Sequence, residues 1–223
     1  MITRSMGSPH AVGAAGLGVK SPISKHVSLG KSLKRKAPRR YTSFNSLTSL
    51  RQSIIKSATS QAIVDVKAAI AMIKQGGAHT QDAISKYFGS SMTPEEMTGA
   101  LGIVLNELTV MESNPDYFST DRQGNKSWYL YVCPNESVTA PPYNNHNVYF
   151  RAPFFRLTPR ERAICLVHEA CHLCLGVDDV KLADGTEAYE NENCRQLTIE
   201  SPEKAINNAD NWALFVDYLV KGE

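Results

Sequence analysis

Residues 158–176 read TPRERAICLVHEACHLCLG. Thr158 and Glu161, with Pro159 between them, form the T-x-x-E pattern of a helix capping box with proline at the first helical position. Gly176 is the stop signal. The run between is apolar apart from His168, Glu169 and His172 after the first turn, which predicts a buried core helix. On a helix, positions i and i+4 share a face about 6 Å apart. The segment His168-Glu169-Ala170-Cys171-His172 therefore turns two imidazoles toward one point, where they can hold a metal ion. Zn²⁺ suits nitrogen and oxygen donors in a tetrahedron. Glu169, beside the first ligand, can reach metal-activated water as a general base. The competing reading, two core histidines with a buried unpaired Glu, is costly.

A hydrolytic zinc site needs a third protein ligand and one open position. No histidine follows His172, and His79 and His146, read as loop residues, precede the helix. Carboxylates follow instead: Asp178, Asp179, Asp184, Glu187 and Glu190. Any of Asp178, Asp179, Asp184 and Glu187 could supply the third ligand. Beyond them a helix is predicted over residues 187–199, and a last one runs from Ser201-Pro202 to about residue 220.

Working toward the N-terminus, residues 147–151 (NVYFR) and 127–133 (SWYLYVC) read as two strands, paired antiparallel. Thr93-Pro94-Glu95-Glu96 is a second capping box, opening a helix to about residue 111. Helices are also predicted at residues 81–88 and 61–74, the latter with Ile63, Val64, Val66, Ala69, Ile70 and Ile73 fitting one face. The fold class is α+β: mostly helical with a small antiparallel sheet, over residues 59–223.

Residues 1–58 read as a disordered, basic, Ser-rich tail. The first 60 residues hold eleven Lys/Arg, twelve Ser and no Asp or Glu. The remainder holds the other thirteen basic residues and all twenty-two acidic ones, a split of +11 against −9. Such a tail offers too few apolar groups to offset its ordering entropy. Its cluster at residues 34–40 (KRKAPRR) reads first as a solvated linker, then as a targeting address, and last as a contact for nucleic acid or an anionic membrane. An apolar Sec h-region is missing, and no apolar run approaches the ~18 residues that a membrane span needs.

The motif combination resembles the aspzincins, the deuterolysin and peptidyl-Lys metalloendopeptidase group. The resemblance rests on His168 to His172, on Tyr189, and on Pro202-Glu203-Lys204-Ala205-Ile206-Asn207-Asn208-Ala209-Asp210. Upstream it includes Tyr87-Phe88-Gly89, Tyr131-Val132-Cys133-Pro134 and the segment at residues 148–155, so it spans about residues 80–220. It implies a zincin-like fold, an Asp as third zinc ligand, with Asp179 preferred and Asp178, Asp184 and Glu187 as alternatives, Tyr189 as hydrogen-bond donor to the oxyanion, and Asp210 in the pocket that recognises Lys. Two departures stand out. The ligand turn is split between Gly176-Val177-Asp178-Asp179 and Gly185-Thr186-Glu187-Ala188-Tyr189, and the family's Tyr-Gly pair is Tyr189-Glu190. The second acidic position of Lys-specific relatives falls on Ala213, which implies weaker or different specificity.

The expected activity is therefore zinc-dependent endopeptidase cleavage of a protein or peptide, by a monomer. The zinc would acidify its water, and Glu169 would take the proton and return it to the leaving amine. An amide hydrolase acting on cell-wall peptide and a decayed metal-binding module are the alternatives. The acid-free leader without a Sec signal further suggests an effector exported by a non-classical route. The five cysteines read mostly as free thiols, with at most one disulfide among Cys133, Cys165 and Cys194.

Overall fold

The computed structural model describes residues 41–121, 129–132 and 148–222. Residues 1–40, with the basic cluster, and Cys133 and His146 lie outside the described residues. The chain enters through strand β1 (Tyr41–Ser43) and a 3-10 turn at Phe44–Ser46. Helix α1 (Ser49–Gln75) follows, with Thr48 Oγ1 accepting from the Arg51 amide at its N-cap. Gln52 Nε2 donates to the carbonyls of Phe44 and Leu47, tying the entry turn to the helix. The folded region thus starts before residue 59, where the sequence placed its boundary. Ile55 and Ala58 are buried in the core with Ala62, Val66, Ala69 and Ile73, all on one face of α1. The tail's low acidity hid this, because Ser and Thr there are capping and helix-surface residues.

Gly76 and Gly77 turn the chain into α2 (Ala78–Phe88), whose first turn holds His79. His79 is therefore helical, not a loop residue; its Nε2 lies 3.1 Å from the Leu219 carbonyl. Helix α3 (Pro94–Ser113) opens on the expected capping box, with Thr93 Oγ1 accepting from the Glu96 amide and Glu96 accepting from the Thr93 amide. Strands β2 (Phe118–Asp121), β3 (Leu130–Val132) and β4 (Val148–Phe150) complete a sheet ordered β1-β2-β4-β3. The β3–β4 pair is antiparallel, as expected, but β2 runs parallel to β4, so the sheet is mixed. The two strands that sequence reading missed, YTS and FSTD, are too short and too polar to show an alternation.

Helix α4 (Pro159–Leu175) carries the second capping box, Thr158 with Glu161. It packs against α1 and α3, and its C-cap Gly176 adopts the left-handed conformation at φ 66°. Helix α5 (Glu190–Glu200) follows a long loop. The predicted last helix is in fact two, α6 (Pro202–Ile206) and α7 (Ala209–Lys221), broken at Asn207 and Asn208. Arg160 on α4 grips Asp217 on α7 with two hydrogen bonds, at 2.9 and 2.7 Å. Such bidentate, charge-assisted pairs fix geometry as well as adding energy. Aromatic rings pack together in the core: Phe88 meets Trp212 at 4.7 Å and Phe215 at 5.1 Å, and Phe150 meets Phe154 at 4.7 Å.

The extended start of α1 yields a test. Ile55→Ala should lower the unfolding free energy by about 2–5 kcal/mol. Urea denaturation measures it, and a loss below about 1 kcal/mol would place this turn outside the cooperative core.

Candidate active site

The part-buried face of α4 that carries the two histidines shows what its sequence encodes. His168 Nε2 and His172 Nε2 lie 3.0 Å apart. Asp179 Oδ1 is 3.3 Å from the first and 3.2 Å from the second. A tetrahedral zinc site with bonds of about 2.0–2.1 Å has edges of about 3.3 Å. The three donor atoms therefore stand at the spacing of three corners of such a tetrahedron. These residues form the one cluster of three or more metal-ligating groups found among the described residues.

The outer nitrogens decide how the rings face. His168 Nδ1 lies 2.6 Å from Asp210 Oδ1, and His172 Nδ1 lies 2.7 Å from the Val177 carbonyl. Both acceptors demand a proton on Nδ1, which leaves each Nε2 with a lone pair toward Asp179. Two lone pairs and a carboxylate oxygen within 3.3 Å repel one another unless a cation joins them. This donor set fits zinc, and the carboxylate and carbonyl behind the rings match the usual outer shell of zinc-binding histidines. Burial opposes charge on His168, but its hydrogen bonds to Asp179 and Asp210 prevail and raise its pKa to about 10. His172 moves upward in the same way, through Asp179 and despite burial. Burial likewise opposes ionisation of Asp179, yet the two histidines hold it far below the usual carboxylate range.

Glu169 follows His168 directly on α4. It is 5% exposed, and burial raises its pKa against the pull of the two histidines. The Val132 backbone on β3 hydrogen-bonds to it, so the sheet edge borders the site. Tyr189 sits with its ring 6.4 Å from that of His168. Partial burial and then the adjacent Asp179 carboxylate push its phenol above the ordinary value, which keeps the proton on the oxygen.

The loop between Asp179 and Tyr189 explains the split ligand turn. The Ala188 amide donates to the Val180 carbonyl, and Leu182 to Thr186, so residues 180–188 close as a small hairpin. Asp179 and Tyr189 flank its open end and stay neighbours despite the extra residues. The other acidic residues are used elsewhere. Asp184 accepts from the Thr186 amide at the hairpin tip, Glu187 pairs with Lys181 at 2.8 Å, and Asp178 faces Asn207. Asp178 is fixed through its backbone: its amide donates to the Asn207 carbonyl, and its carbonyl accepts from Ala209. Fully buried Asn208 completes the anchor. Its Oδ1 accepts from the Val180 amide, and its Nδ2 donates to the Ala188 carbonyl and to Asn211 Oδ1. Asn208 and Asn211 went unnoticed as site supports, because a sequence does not show which backbone they will meet.

Asp210 was expected in the pocket for substrate; here Oδ1 meets His168 and Oδ2 accepts from the Glu190 amide at 3.1 Å. The lost glycine of the Tyr-Gly pair leaves its conformation behind, since Glu190 keeps φ 66°, the left-handed region. Cys165, Cys171, Cys174 and Cys194 are free thiols. Burial first, then nearby carboxylates, raises the pKa of Cys165 to about 12, so it remains a thiol beside the site.

A family model described as lysine-specific metallo-endopeptidase, of the aspzincins, matches residues 73–217. A zinc peptidase from Grifola frondosa is similar in structure, with a TM-score of 0.56 and 24% identity, over 78% of this chain and 99% of that one. A search of curated proteins finds no match.

The anchor can be tested apart from chemistry. Asn208→Ala removes the side-chain acceptor of the Val180 amide, at a cost of about 1–3 kcal/mol. Amide exchange at Val180 should accelerate with that loss. Unchanged exchange would show that the loop is held by other means.

Proposed function

We propose a division of labour among the residues of this site, on the premise that the chain belongs to the aspzincin family of lysine-specific metallo-endopeptidases. Membership makes it a zinc-dependent metalloendopeptidase that acts on protein or peptide substrates. No helix among the described residues is long and apolar enough to cross a membrane.

The observation that carries the assignment is the convergence of His168 Nε2, His172 Nε2 and Asp179 Oδ1 at 3.0–3.3 Å, with both Nδ1 atoms tied off behind. These three residues would hold the zinc. When bound, the metal supplies Lewis acidity that makes water a nucleophile near neutral pH and polarises the scissile carbonyl. Glu169 acts as general base. Burial raises its pKa, which favours its holding a proton between the two transfers. Its carboxylate takes a proton from water as the water oxygen bonds to the carbonyl carbon, and returns that proton to the amine nitrogen as the C–N bond breaks. Tyr189, protonated at its hydroxyl, donates a hydrogen bond to the developing oxyanion. The half-exposed Asp179 side leaves the site open to a chain from solvent.

Lysine specificity does not carry over by name. The Asp210 oxygens are engaged within the chain, and Ala213 is buried at 1% exposure, which supports a preference weaker than or different from Lys. The acid-free Ser-rich residues 1–60 support export as an effector, and unchanged export after deletion of residues 1–40 would overturn that extension.

Two variants test the core assignment. Glu169→Gln should retain stoichiometric zinc by metal analysis while peptide cleavage falls by about 10²–10⁴-fold. Cleavage at the wild-type rate would remove Glu169 from the mechanism. Asp179→Ala should lose bound zinc on dialysis against a mild chelator, and full retention would exclude it as a ligand.

A further inference from the structure

The turn into α5 holds a feature that peptide cleavage as described does not use. Tyr189 occupies the N-cap of α5 and provides no side-chain cap. Ser, Thr, Asp or Asn normally fills that position, because the first amides of a helix lack internal partners. Here the first amide, that of Glu190, is taken from outside the helix by Asp210 Oδ2 at 3.1 Å. Asp210 stands in the first turn of α7 and gives its other oxygen to His168 Nδ1. One carboxylate therefore spans a ring of the metal-ligand set and the peptide next to Tyr189. That peptide is also the one non-glycine residue with positive φ among the described residues. Such a conformation persists only where surrounding contacts over-determine it.

We propose that Asp210 is a positioning residue that couples the two halves of the site, orienting His168 through Oδ1 and seating Tyr189 through the Glu190 amide at Oδ2. The tertiary cap frees the N-cap position for a tyrosine, whose ring faces His168 where a capping side chain would have turned back on its own helix. This deepens the assignment above and rests on its reading of His168 as a ligand and Tyr189 as the donor. Each Asp210 oxygen already holds a partner within the chain, and the side chain is 18% exposed.

Asp210→Asn separates the two arms with little change in shape. The amide oxygen can still accept from His168 Nδ1, but its NH₂ then faces the Glu190 amide, donor against donor. Three readouts are compared in wild type, Asp210→Asn, Tyr189→Phe and the double variant. The first is exchange of the Glu190 amide, which needs no catalysis. The second is zinc affinity by chelator competition. The third is kcat and KM on a peptide at saturating zinc. In Asp210→Asn we expect Glu190 exchange at least 10-fold faster, zinc affinity weaker by up to 10–100-fold, and kcat reduced with KM little changed. In the Tyr189→Phe background the same change should cost no further kcat. Asp210→Ala should weaken zinc at least as much as Asp210→Asn, and if it fails to fold, the isosteric variant carries the test. Unchanged Glu190 exchange, or a kcat loss that simply multiplies with that of Tyr189→Phe, would overturn the coupling. So would a rise in KM for Lys-containing peptides with kcat intact, which would make Asp210 a substrate contact. If Tyr189→Phe were itself fully active, the donor assignment would fail, and the exchange and zinc measurements would still judge the Asp210 contacts.

Discussion

Two imidazoles one turn apart, each with its outer nitrogen already committed, set the terms for everything around them. A histidine free to rotate or change tautomer offers a metal only a fraction of its conformers. Here the Val177 carbonyl and the Asp210 carboxylate hold each ring in one orientation. Supplying those acceptors requires the chain to double back at once after α4 and to bring α7 alongside it. The left-handed Gly176 provides the first, and the Arg160–Asp217 pair and the aromatic packing of α7 provide the second. The rigid part of the fold is thus a frame for two nitrogen atoms.

The polar interior near Asn208 extends that frame. Asn211 Nδ2 reaches the Tyr87 carbonyl at 2.7 Å, the Cys194 carbonyl and the Thr198 hydroxyl, linking α2, α5 and α7. Buried amides earn their place only when nearly all their groups are paired, and Asn208 and Asn211 meet that condition. They sit where an apolar core would have left the loop after α4 without a fixed register. The break between α6 and α7 has the same origin, because Asn208 must leave the helix for its side chain to meet the Val180 amide.

Much of this was legible because some of the determinants are local. The capping boxes at Thr93 and Thr158, the spacing of His168 and His172, and the stop at Gly176 each act within one turn, so the sequence displays them directly. Asp179 could be favoured but not fixed, since its closeness to the histidines depends on a loop whose pairing partners lie thirty residues away. The short strands β1 and β2 escaped for a related reason: three or four residues acquire strand geometry from their neighbours and show little periodicity of their own. The start of α1 was obscured by composition, because a Ser-rich, acid-free stretch resembles a linker until Ile55 finds a core. Asp210 shows the remaining limit, for its residue type and position were visible while the direction of its carboxylate was decided by tertiary packing.

The hairpin over residues 180–188 has a consequence for how such a molecule can diversify. Its tip, around Asp184 and Gly185, is exposed and meets the remainder of the chain mainly through the Glu200 carboxylate at the Ala183 amide. Length added at that tip would be absorbed beyond the Val180–Ala188 rung without parting the residues at its base. The stretch is a natural splice point, where new recognition surface can be tried beside a reactive centre while the centre itself stays intact.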